Sequence, residues 1–299
     1  MQTEAGNRLA YVHMLWGSVA FSAMGAFGHA AGESCSWEFV AVARTVIAFL
    51  LSLLIARFSG VKLVLFGPRA LWARSIAGSI GLLGNFYALT HLPVSDALTI
   101  SNTSPIWVAL LGWAWFGDRP SLSTWMAVIT GVLGVALIQQ PHFRTGVLAG
   151  MLALLGALCT AIAMLGLNRL RGVEPGAIVA HFSGLSSLTT IAFTLFTSSR
   201  APITPPQTAM TFFLLAMTGV SGVIGQMGMT MAFARGQAAR VSVIILSQIF
   251  FALLFDVFLW RRQVNAISLL GMILVTAPTA WLILHSVTRR APQVVDTDI

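Results

Sequence analysis

Along the 299 residues, long apolar runs alternate with short polar or Pro/Gly-rich punctuation. Ten runs stand out, at about residues 10–30, 38–56, 71–91, 95–117, 122–139, 146–168, 176–197, 209–233, 238–260 and 265–286. Each approaches the roughly 20 mostly apolar residues that a helix needs to cross the hydrocarbon core of a bilayer. The punctuation includes GHAAGESCS, HLPVSD, GDRPS, RLRGVEPG and TSSRAPITPPQT, all rich in helix breakers or caps. The pattern therefore predicts an all-α integral membrane protein with ten transmembrane helices.

One run fits poorly. ISNTSPIW, at residues 100–107, places Ser101, Asn102, Thr103, Ser104 and Pro105 in the middle of a segment that should dissolve in oil. The Pro105 ring crowds the carbonyl of residue i−4, Ser101, and its missing N–H frees that carbonyl, so a bend is expected there.

The chain also repeats itself. GSIGLLGNF carries Gly78, Gly81 and Gly84 followed by Asn85, and GVSGVIGQMG carries Gly219, Gly222 and Gly225 followed by Gln226, a constant offset of 141. At an offset of 144, Thr103–Ser104 faces Ser247–Gln248. Two five-helix repeats follow, residues 1–141 and 142–286, with a polar tail at 287–299. Five is odd, so the second copy enters the membrane upside down, a construction of secondary transporters that places the substrate site between repeats. The glycines themselves read first as close-packing positions between helices.

Composition strengthens the membrane reading: 57% of residues are hydrophobic and 9% charged, against about 25% charged in soluble domains. The net charge of +8 comes from 17 scattered Lys and Arg residues, which orient a membrane protein rather than bind nucleic acid. Cytoplasmic termini put twelve of them inside, Arg74 among them, and leave Arg44, Arg144, Arg200, Arg261 and Arg262 towards the outside. The Arg261–Arg262 pair runs against this rule. The first helix lacks a signal-peptide cleavage site and is read as retained. Cys35 and Cys159 form no C-x-x-C motif, and Cys159 reads as a small buried hydrophobe. Lys62, the single lysine, lies in no phosphate-binding loop, which excludes a Walker-type ATPase. Metal-site and hydrolase spacings are absent, and no cofactor is expected. The expected partners are a small-molecule substrate and membrane lipid, with the chain acting as a monomer.

What polar chemistry remains inside the runs defines the candidate site. Each unsatisfied polar group in lipid costs several kcal/mol, so such groups face protein or a wet cavity. The candidates are Asn85, Ser101, Asn102 and Ser104 from the first repeat and Gln226, Ser247 and Gln248 from the second, with Pro105 as a hinge. For any single Ser or Thr, a hydrogen bond between helices competes with a place on a pathway, and contributes about 0.6 kcal/mol. Trp16, Tyr87 and Trp107 could stack on an apolar substrate. Arg44 could meet a substrate carboxylate, but pairing with Asp256, the one acid inside an apolar run, is the favoured expectation. With no acid deep in the membrane, gradient-driven transport without proton coupling is expected over a proton-coupled antiporter. An integral membrane enzyme acting on lipids is a further reading, for which no nucleophile or acid/base pair is visible; a channel would need rings of like groups.

The stretch ALTHLPVSDALTISNTSPIWVALLGWAWFGDRPS resembles the third-to-fifth-helix signature of the drug/metabolite transporter superfamily, in its ten-helix EamA-type branch. The matching features are Ala88–Leu89, Ser95 to Ala97, Pro105 and an acid, Asp118, closing the fourth helix; LWGS at Leu15 to Ser18 and Arg44 match as well. Asp118 replaces the commoner Glu, and its repeat partner is Arg262, so the second copy departs from the pattern there. The resemblance implies a carrier of the bacterial inner membrane exporting small metabolites by alternating access. Amino-acid exporters, those of aromatic amino acids first, are the most similar branch.

Overall fold

A computed structural model describes residues 4–92, 94–141, 147–198, 204–261 and 263–288. The described residues form twelve helices and no strand: α1 (Glu4–Gly32), α2 (Trp37–Phe58), α3 (Arg69–His91), α4 (Val94–Ser101), α5 (Ser104–Phe116), α6 (Leu122–Gln139), α7 (Val147–Asn168), α8 (Pro175–Ser198), α9 (Ala209–Arg235), α10 (Ala238–Ile245), α11 (Ser247–Trp260) and α12 (Ala266–Thr288). Arg144, Arg200, Arg262 and the tail beyond Thr288, which entered the charge and tail expectations, lie outside these residues.

The punctuation acts as the sequence predicts. Ser121 and Thr208 accept the N–H of Thr124 and Thr211, capping α6 and α9. Gly117, at φ 67°, ends α5 in the left-handed conformation that glycine adopts without a steric penalty. Pro68 and Pro175 stand at the starts of α3 and α8, where a missing N–H costs nothing.

Two of the ten expected runs are not single helices. The run at 95–117 is cut at Asn102–Thr103, and the run at 238–260 is cut at Leu246. The first cut follows from Pro105, which stands in the opening turn of α5. The second has no proline or glycine and was not expected. Eight described helices are long and apolar enough to cross a membrane, with α10 and α11 taken as one span. The α4–α5 run is not among them: its pieces have 8 and 13 residues, and a single crossing takes roughly 17–25. Nor is α3, which carries Arg74 one turn inside its start.

Packing pairs helices from the two halves of the chain. The α1–α9 contact has a counterpart in α3–α7, α2–α9 in α3–α8, and α1–α11 in α5–α7; α2 meets α8, and α6 meets α12. The glycine-rich segments sit at close contacts of this kind. A Cβ on Gly84 of α3 would lie 3.0 Å from the Leu152 carbonyl and 3.2 Å from Gly156 Cα of α7. A Cβ on Gly228 of α9 would lie 2.7 Å from the His13 carbonyl and 3.0 Å from Gly17 Cα of α1. Backbones approach this closely only without side chains, which in lipid is the main source of helix–helix attraction. The largest buried cluster, including Tyr11, Met14, Leu71, Val108, Phe233 and Ile244, joins both halves. Cys159 is buried beside Ala77 and Ala163, as a small hydrophobe.

Candidate functional site

The two helix breaks meet. Gln248 Nε2, at the start of α11, donates to Asn102 Oδ1, between α4 and α5, at 3.3 Å. Around this contact, polar side chains add bonds to backbone carbonyls beside the breaks. Asn102 Nδ2 donates to the Leu98 carbonyl at 2.7 Å and Thr103 Oγ1 to that of Ile100 at 2.6 Å. In the second half Ser247 Oγ donates to the Ile244 carbonyl at 2.7 Å, and Ser18 of α1 reaches the same oxygen at 3.4 Å. Ser22, one turn on, donates to the Gln248 carbonyl at 2.6 Å. The misfit residues of ISNTSPIW thus spend their own polar groups within the bundle, on nearby carbonyls and on Gln248, in a medium without water.

Other predicted residues distribute unevenly. Ser101 Oγ donates to Asn85 Oδ1 at 2.7 Å, tying α4 to α3. Ser104 and Pro105 are buried at the head of α5. Trp107 packs against the main core, its indole N–H buried without a partner among the described residues. Trp16 lies on an exposed face of α1, 36% accessible, with its ring 6.5 Å from His13. Tyr87 stacks on His91 one turn along α3, with centroids 3.9 Å apart. Trp16 is turned away from the polar cluster, while Tyr87 packs with Ile100 on the small cluster of Ala88, Ala97 and Ala153.

Gln226 leads to a second cluster that the sequence reading missed. Arg74 of α3 is only 2% exposed, and its Nη2 donates to Gln226 Oε1 of α9 at 2.9 Å. Its guanidinium lies 4.0 Å from the centroid of Phe182 in α8. Its Nε has no partner among the described residues. Gln226 and Phe182 line a cavity of about 20 Å³ together with Arg44, Thr45, Ala48, Leu82, Ser183, Ser186 and Gly222. Arg74, counted by charge on the cytoplasmic side, is buried within the bundle in the second turn of α3. The expected Arg44–Asp256 pair is likewise not formed. Arg44 turns into the cavity between α2, α8 and α9, whereas Asp256 belongs to α11, which packs on α1 and α12.

The energetics are finely set. Taking a charge out of water into a protein interior costs several kcal/mol. Against this, a hydrogen bond from a charged donor contributes about 1.5–3 kcal/mol, and a desolvated cation–π contact about 2 kcal/mol. Arg74 is therefore tolerated by Gln226 and Phe182 without a carboxylate. The α3–α8 interface around it is polar as well: Ser75 Oγ and His181 Nδ1 are 2.8 Å apart, and Ser79 Oγ and Ser186 Oγ 3.0 Å. An arginine one turn inside an apolar helix was the available signal, since ionisable groups within spans are functional by default.

Known proteins share this architecture. A model of the EamA-like transporter family matches residues 8–140 and, a second time, residues 147–284. The pseudopaline exporter CntI of Pseudomonas aeruginosa is 28% identical over 260 residues, covering 86% of this chain and 90% of that protein. An uncharacterized membrane protein of Saccharomyces cerevisiae, YMR253C, is 28% identical over 236 residues, which are 70% of this chain; the match spans 56% of that longer protein. A protein solved by crystallography superposes with a TM-score of 0.79 over 94% of this chain and 98% of its own, at 15% identity, a likeness of fold alone.

Proposed function

We propose that this chain, which belongs to the EamA-like transporter family, is a secondary carrier that exports small carboxylate-bearing metabolites, aromatic or apolar amino acids and their carboxylate relatives among them. It works by alternating access in the bacterial inner membrane, with its termini in the cytoplasm. The observation that carries this reading is the meeting of two broken helices, one from each half, through Asn102 and Gln248. Discontinuous helices facing each other across a repeat interface are where transporters of this construction bind substrate and rock. The match of one family model to both halves supports an inverted duplication, with α3 and the α4–α5 pair as crossing elements that bring the spans to ten. So does the correspondence between α1–α9 and α3–α7. Arg44, Arg74 and Gln226 favour a carboxylate on the cargo, and the similarity to a named exporter favours outward transport.

The test is efflux from proteoliposomes across the twenty amino acids. A carrier gives saturable flux that is accelerated by unlabelled substrate on the far side. Linear flux without that acceleration marks a channel, and chemical conversion marks an enzyme. We expect movement down a gradient only; uphill movement driven by an imposed proton gradient alone would replace this with proton-coupled antiport.

Pro105→Ala tests the hinge. The variant is expected to insert and express normally but to transport about tenfold more slowly, because the regained N–H favours rejoining α4 to α5. Flux at the parental rate would remove Pro105 from the mechanism.

A further inference from the structure

One arginine, Arg44, lines a small cavity, and a second, Arg74, stands behind its wall of Gln226 and Phe182. Among the described residues the lining of Arg44, Thr45, Ala48, Leu82, Phe182, Ser183, Ser186, Gly222 and Gln226 contains no Asp or Glu. Arg74, which reaches the cavity through its bond to Gln226 and its contact with Phe182, has no carboxylate partner either. The second, independent observation is Arg74 itself, 2% exposed, with its Nη2 bonded to Gln226 and its Nε without a partner among the described residues, a buried positive charge directly behind the cavity wall. A guanidinium recognises a carboxylate with two parallel N–H donors, and Arg44 is the guanidinium in the lining. The Ser183 hydroxyl borders the same space, while Thr45 donates to its own helix and Ser186 shares a bond with Ser79. At about 20 Å³ the space is close to that of one water, so the cavity widens when an anion's head enters it. Leu82 lies one turn, about 5 Å along the helix axis, from Asn85, so an elongated cargo with its head here would extend towards the helix breaks.

Resting on the carrier reading above, we propose that Arg44, Arg74 and Gln226 form a carboxylate subsite that selects substrates crossing as net anions. The site discriminates between two molecules with the same apolar body. A free amino acid brings an ammonium group, for which this cavity and its wall offer two positive charges and no counter-charge. The corresponding 2-oxo acid or other monocarboxylate brings the anion alone. Like charges brought together in a poorly solvated site are costly, so the oxo acid is the preferred cargo. Export of an anion moves one negative charge outward and is driven by an inside-negative potential. Each 100 mV is equivalent to roughly a fifty-fold concentration ratio, from about 2.3 kcal/mol per charge.

The experiment uses the whole protein in liposomes and matched pairs: phenylpyruvate against phenylalanine, and 4-methyl-2-oxopentanoate against leucine. The expected result is saturable efflux of the oxo acids, at least tenfold faster than of their amino acids. An inside-negative potassium diffusion potential should accelerate it and an inside-positive one slow it. Arg44→Gln is expected to raise the half-saturating oxo-acid concentration about tenfold or more. Since that variant can fail to fold, thermal stabilisation of the parent by each probe is measured alongside; phenylpyruvate should raise the melting temperature and phenylalanine should not. If the amino acids move and the oxo acids do not, or if flux ignores the potential, the anion subsite is wrong while the carrier reading stands. If none of the four probes moves, both are wrong for these cargoes. If chloride alone stabilises the protein and the oxo acids do not compete with it, the cavity is an inorganic-anion site and the inference fails.

Discussion

Arg74→Met is expected to lower transport about a hundredfold while shifting the melting temperature by no more than a few degrees. The two halves of that expectation come from opposite sides of one balance. Truncating one member of a desolvated charge contact costs roughly 2–5 kcal/mol of binding, and Arg74 supplies the most deeply buried positive charge near the cavity. For the fold, replacing a buried charge by a hydrophobe of similar volume is often neutral or stabilising. Here the loss of its bond to Gln226, which leaves a buried acceptor unmatched at about 1–3 kcal/mol, offsets the relief of desolvation. The measurements are initial efflux rates and a thermal melt in the same detergent. Arg74→Lys should recover part of the flux, because it restores the charge but not the forked donor geometry. A Met variant that transports normally would make Arg74 a structural residue. A variant that unfolds would show that the Gln226 bond, not the charge, governs stability.

Gly228→Leu is expected to abolish folding. A Cβ there already meets the His13 carbonyl at 2.7 Å and Gly17 Cα at 3.0 Å, both backbone atoms that a rotamer change cannot move. The branched side chain of leucine would force α9 off α1 along their whole contact. Even Gly228→Ala should lower stability by the 1–3 kcal/mol typical of overpacking. The readout is the yield of monodisperse protein on gel filtration after membrane extraction, with the alanine variant reduced and the leucine variant absent. Recovery of the leucine variant at parental yield would mean that the two helices are free to separate.

Much of this architecture was legible because lipid leaves the chain few choices. Pro68, Pro175, Ser121, Thr208 and Gly117 mark helix ends through their own backbone chemistry, and each does so where the sequence places it. The Gly78–Gly84 and Gly219–Gly225 runs announced close packing, and the amides after them fall at contacts between helices, Asn85 with Ser101 and Gln226 with Arg74. What escaped was rotational and tertiary. Nothing in AARVSVIILSQIFF forbids a continuous helix, so the break at Leu246 depends on Ser18, Ser22 and Asn102 arriving from other elements. Trp16 and Asn85 share the same kind of apolar run, and only the packing of α1 on α9 and α11 shows which residues face inward. The burial of Arg74 was missed because a charge one turn inside a helix looks interfacial until the neighbouring helix covers it.

The two breaks also differ in kind. Pro105 has no N–H, so the interruption between α4 and α5 is written into the covalent chain. Every residue from Ile244 to Gln248 carries one, so α10 and α11 can zip into a single rod whenever Ser22 and Asn102 release Gln248. The two halves, alike in packing, thus hold their breaks by different means: one by a covalent ring, the other by side chains arriving from neighbouring helices.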